Sequence, residues 1–113
     1  DFDLLIIDLQ DHAGRSKNAI ERVKGRIIGK EGSSRALLEE LTETTISIYG
    51  DTVAIIGKID TLDVAKEAVL MLVKGAFHKT VWNYLYAQRQ RMRKARVKIW
   101  EEQPEPRVGL RRG

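Results

Sequence analysis

Gly29-Lys30-Glu31-Gly32 is the stretch that most limits how this chain can fold. It leaves four residues between two segments with apolar side chains at helical spacing. Ile20, Val23, Ile27 and Ile28 precede it; Leu37, Leu38 and Leu41 follow it. That spacing predicts a helix over 16–28, with Ser16 or Asn18 as N-cap. It predicts a second helix beginning at Ser33 or Ser34, both good capping residues. The period then changes from 3.6 to 2. In Thr45-Ile46-Ser47-Ile48-Tyr49 the isoleucines share one face of a strand. Gly50-Asp51 is a two-residue turn in which glycine supplies positive φ, and Val53-Ala54-Ile55-Ile56 returns as the partner strand.

The rest of the chain extends this frame. Residues 2–9 read as a strand, with Asp11-His12-Ala13-Gly14 as the break after it. A third helix is expected after Gly57, capped by Asp60 or Thr61, with Leu62, Ala65, Val69 and Leu72 on its buried stripe. A fourth is expected from about Thr80 to Glu101. Val81, Leu85, Met92 and Ile99 form its thin apolar side, and Trp82, Tyr84 and Tyr86 are read as docking residues, with base platforms as the alternative. Pro104 and Pro106 stop it, and the tail is expected to be disordered. The order β-α-α-β-β-α plus an extra helix makes an α+β two-layer sandwich, a three-stranded antiparallel sheet against three helices. The expected division is a core unit over 1–77, a basic helix over 78–101 and a tail over 102–113.

Composition excludes several functions. The chain has no cysteine, which removes disulfide frameworks, Cys-ligated metals and thiol nucleophiles and favours an intracellular, cytoplasmic setting. No apolar run approaches a membrane span. The net charge of +4 is unevenly spread: residues 1–57 hold seven Lys/Arg against ten Asp/Glu, and residues 58–113 hold thirteen against six. Arg89, Arg91, Arg93, Lys94, Arg96 and Lys98 run without an acid before Glu101. Seven cations lie between Arg15 and Arg35. Two basic patches on a small domain point to a polyanion, with solvated helix faces as the plain alternative. His12 and His78 lack a carboxylate at ligand spacing, so neither a metal nor a catalytic role is expected. Glu39-Glu40-Glu43 is the only acidic cluster, and it lies on a helix that needs a solvent face. No cofactor, metal or covalent chemistry is expected.

A glycine-flanked turn admits close approach of a ligand to the backbone, because no Cβ stands in the way. This one also opens a helix, whose first amides are unpaired and carry the positive end of the dipole. Lys30 adds a cation between the glycines, and Arg26 and Arg35 flank them. A GxxG pair alone is a weak signal. Here it follows Ile27-Ile28, opens a Leu37-Leu38 helix and lies between a strand and a hairpin. In that context residues 1–77 resemble a type I KH domain, whose GxxG loop clamps about four nucleotides of single strand. From Gly25 through Gly57, and in Val81-Trp82-Asn83-Tyr84-Leu85 with the arginines after it, the chain is similar to the archaeal and eukaryotic ribosome-assembly factors known as partners of the Nob endonuclease.

The resemblance implies single-stranded RNA binding near the 3′ end of small-subunit rRNA, alongside a Nob-type endonuclease or other assembly proteins. It implies a first KH domain ahead of Asp1 in a longer protein. Gly29, Lys30, Glu31 and Gly32 would form the RNA loop and Ser33 the helix start beside it. Arg26, Ile27, Ile28 and Arg35 would be the walls, and Ile46, Ser47 and Ile48 the groove edge. Arg89, Arg91, Arg93, Lys94 and Arg96 are possible secondary contacts. Aromatics make up 6% of the chain and none is expected near the loop, so stacking platforms of the RRM type are not expected. The rival reading is a protein-interaction scaffold with RNA contact secondary.

Overall fold

The computed structural model describes residues 1–101, so the expected disordered tail lies outside the described residues. Strand β1 (Phe2–Asp8) leads into a short helix α1 (Leu9–Ala13); α2 (Lys17–Ile28) and α3 (Ser33–Thr42) follow. The hairpin β2 (Thr45–Tyr49) and β3 (Thr52–Lys58) precedes α4 (Ile59–Val73) and α5 (His78–Glu101). The sheet order is β1-β3-β2 and both pairings are antiparallel. The third strand therefore lies in the middle, leaving β1 and β2 as edges.

The pleat sets what each strand buries. Ile46, Val53 and Ile55 turn toward the helices, together with Ile7. There they meet Ile20, Val23 and Ile27 of α2, Leu38 and Leu41 of α3, and Leu62, Ala65, Val69 and Leu72 of α4. The opposite face of the sheet is open. Phe2, Leu4 and Ile6 of β1 stand on it, with Tyr49 of β2.

Local structure departs from expectation where side chains make bonds that spacing does not reveal. The break after β1 is a turn of helix: the Asp8 carboxylate accepts from the Gln10 amide, Leu9 is fully buried, and Gly14 ends the turn at φ 83°. Ser16 caps α2 by accepting from the Ala19 amide. Neither serine caps α3. Gly32 holds that position in the left-handed region, φ 77° and ψ 9°, with no capping side chain. Lys58 holds the N-cap position of α4, and Thr61 instead donates its hydroxyl to the Lys58 carbonyl.

Helix α5 begins as part of the core and ends outside it. Val81 and Leu85 are fully buried and Met92 is half-buried, whereas Ile99 is 58% exposed. The expected apolar side therefore stops being a buried stripe about halfway along the helix. At 1.5 Å per residue its 24 residues span about 36 Å, much longer than α3 beside it.

Candidate nucleic-acid interface

The turn between α2 and α3 is built by backbone geometry that only some residues can adopt. Gly29 has φ 75° and ψ 177°, a region closed to residues with a Cβ. Its amide closes α2 on the Gly25 carbonyl. Lys30 to Gly32 form one 3-10 turn, with Glu31 left-handed at φ 56°, ψ 30°. The Gly32 amide donates to Gly29 and the Ser33 amide to Lys30. No turn, cap or side-chain hydrogen bond among the described residues uses the Lys30 or Glu31 amide, and no hydrogen-bonded turn spans Gly29 to reach them from α2. Both residues are exposed. An exposed turn thus offers two free donors and a lysine ammonium at the head of a ten-residue helix, the physical makings of a phosphate cradle.

Beside the turn runs the free edge of β2. The Ile46 amide points away from β3 and donates to Glu39 Oε2 of α3 at 2.7 Å. In an antiparallel strand alternate residues turn their backbone groups the same way, so Ile48 shares this outward edge. Arg35 is exposed one helical turn before Glu39, placing a cation between the turn and the strand edge. The half-buried Ile28 and Ile48 supply apolar surface.

Several expected site residues lie elsewhere. Arg26 directs Nε to the Leu72 carbonyl at 3.0 Å and Nη2 to the Ala76 carbonyl, so its guanidinium closes the C-terminal end of α4. The last carbonyls of a helix are strong acceptors for a cation, and they hold Arg26 away from the turn. Ile27 and Ile46 are core residues, 0% and 2% exposed. Ser47 is exposed on the open sheet face with Thr45 and Tyr49, because the pleat turns its side chain away from Ile46 and Ile48. Arg89, Arg91, Arg93, Lys94 and Arg96 are all exposed. Among the described residues the one salt bridge is Lys24–Glu21, so none of these five cations meets a carboxylate.

Two features were missed by sequence reasoning. Glu39, read as part of a solvent face, sits at the β2 edge; its place four residues after Arg35 was the available signal. The second concerns aromatics near the loop. An open cleft of about 340 Å³ is lined by Gly29, Lys30, Ser33, Leu37, His78 and Trp82. The start of α5 is pinned there because His78 Nε2 lies 2.9 Å from the Arg26 carbonyl, fifty-two residues away in sequence. Among the described residues no group of three or more His, Cys, Asp or Glu could hold a metal ion, and no helix is long and apolar enough to cross a membrane.

This arrangement defines a class: an α+β module presenting free amides at a glycine-flanked turn beside an open strand edge. Residues 3–90 match the family model of the second KH domain of PNO1, a eukaryotic-type KH domain (KH-domain type I). The KH domain-containing protein MJ0443 of Methanocaldococcus jannaschii is 44% identical over 105 residues, covering 93% of this chain and 46% of that protein. The pre-rRNA-processing protein PNO1 of Chaetomium thermophilum is 36% identical over 76 residues, 67% of this chain and 29% of its own. A crystal structure from Aeropyrum pernix, of a protein of unknown function, aligns at TM-score 0.86 and 38% identity over 91% of this chain and 55% of that one. Dim2p of Pyrococcus horikoshii, in a complex with a/eIF2alpha and rRNA, aligns at TM-score 0.73 and 39% identity over 79% and 48%. The chain belongs to the type I KH family of RNA-binding domains, in the branch that includes PNO1 and archaeal Dim2p. It spans about half the length, or less, of these relatives.

Proposed function

We propose that this domain binds single-stranded RNA with the Gly29–Gly32 turn, and that the longer protein containing it acts on the 3′ region of small-subunit rRNA during ribosome assembly. The observation that carries the reading is the pair of free amides at Lys30 and Glu31 on an exposed turn. Phosphates of the strand accept from these amides and from the Lys30 ammonium, while the Ser33 end of α3 adds its dipole. Bases then lie over Ile28 and Ile48, where the outward backbone groups of Ile48 and the Ile46 carbonyl meet their edges. The names of PNO1 as a pre-rRNA-processing protein and of the Dim2p complex with rRNA support the choice of RNA. A cytoplasmic setting belongs to the same proposal, as does a binding unit over 1–77 with 78–101 appended.

The exposed, carboxylate-free run from Arg89 to Arg96 favours a second contact. It extends the RNA path or docks an assembly protein such as a Nob-type endonuclease. The test is an NMR titration with a short RNA ending in the small-subunit 3′ sequence. Amide shifts at 28–35 and 45–49 support the groove. Shifts confined to 78–98 contradict it and leave the scaffold reading.

A further inference from the structure

The cleft between α3 and α5 shares Gly29 and Lys30 with the turn but lies on the opposite side of α3 from the β2 edge. We propose that it is a further nucleotide site, in which a base flanking the turn-held phosphate stacks on Trp82. The inference rests on RNA binding at the turn. Four observations carry it. The cleft is continuous with the turn through Gly29 and Lys30, so a strand leaving the turn on that side enters it. Its lining carries one cation, Lys30, and no carboxylate, which suits a polyanion. Trp82 is half-buried: it packs against the core and also lines the cleft, so its ring is fixed before any ligand arrives. The His78 ring lies 5.8 Å from that of Trp82, tilted by 46°, and is itself anchored on the Arg26 carbonyl. An aromatic surface already held in place loses little freedom on binding.

Polar groups complete the site. Ser34 is 5% exposed and its hydroxyl has no partner among the described residues. Ser33 is exposed at the helix start. Ser33 can serve the sugar or base edge, whereas the Ser34 hydroxyl is enclosed; stacking itself tolerates any base.

The test compares a four-nucleotide RNA with the same RNA extended by two adenosines at its 5′ or its 3′ end. The background is Trp100→Phe, which leaves Trp82 as the only tryptophan. One extension should bind about tenfold more tightly than the four-mer and quench Trp82 fluorescence. Trp82→Leu retains apolar packing without a π face; it should bind all three RNAs with the affinity of the four-mer. Quenching in the Trp82-containing protein stands as evidence even if the leucine variant fails to fold. The inference is overturned if neither extension gains affinity or quenches fluorescence, or if folded Trp82→Leu keeps the gain. Failure of every RNA to bind overturns the underlying reading instead.

Discussion

A methyl group placed on Gly29 would lie 2.5 Å from Cβ of Ser34 and 2.7 Å from its amide nitrogen. The first turn of α3 thus closes directly against the end of α2, and only hydrogen fits between them. Around Gly32 the same construction meets nothing within 4 Å, although its φ of 77° also disfavours a side chain. Gly29→Ala should therefore lower stability by about 2–5 kcal/mol, from overpacking and backbone strain together. Gly32→Ala should cost about 1–2 kcal/mol, from strain alone. Urea unfolding of the two variants measures the difference, and equal losses would contradict this packing.

Much of this architecture was legible in the sequence. The change of period at Thr45, the Gly50-Asp51 turn and the helical stripes place β2, β3, α2 and α4 to within a few residues. Local pattern does not report what a distant element supplies. Arg26 looks like an RNA contact until Leu72 and Ala76, nearly fifty residues on, provide its acceptors. Trp82 is remote from the turn in sequence and adjacent in space, because α5 packs along α3. In β1, apolar residues occupy both faces: Leu4 and Ile6 look outward and Ile7 inward. The run Leu4-Leu5-Ile6-Ile7 therefore could not say which side is covered.

Arg26 and Arg35 should separate stability from binding. Arg26→Met removes charged hydrogen bonds to the Leu72 carbonyl at the end of α4 and the Ala76 carbonyl just beyond it, and should cost about 1.5–3 kcal/mol of stability. RNA affinity, measured on the folded variant, should be nearly unchanged. Arg35→Met should leave stability nearly intact, weaken RNA binding and reduce the slope of log K against log salt by about 0.7, one single-strand phosphate contact. The reverse pattern would return Arg26 to the RNA surface.

Glu39 ties α3 to the edge of β2 through the Ile46 amide. Glu39→Ala should lower stability by about 1 kcal/mol, and the Ile46 amide should exchange hydrogen faster than the Ile55 amide of the central strand. Unchanged exchange at Ile46 would show that the carboxylate does not hold this edge.

The titration of the Tyr84 phenol is displaced. Partial burial raises its phenol above the usual range and the Glu67 carboxylate adds to the effect, while Arg91 acts in the opposite sense. The folded chain holds that proton more tightly than the unfolded chain does. The contribution to stability is therefore intact below the ordinary tyrosine range and is lost as pH rises above about 10. Ultraviolet titration should show a late phenolate step that Tyr84→Phe removes; an unaltered curve would contradict the assignment.

The central claim is that main-chain amides of the turn grip phosphate. Lys30→Asp with Glu31→Asp leaves both glycines in place and puts two carboxylates where phosphate would sit; aspartate tolerates the left-handed conformation at position 31. Affinity for a short single-stranded RNA, measured by fluorescence anisotropy, should fall about tenfold or more, with the circular dichroism spectrum and unfolding midpoint preserved. Undiminished RNA binding by the folded double variant would contradict it.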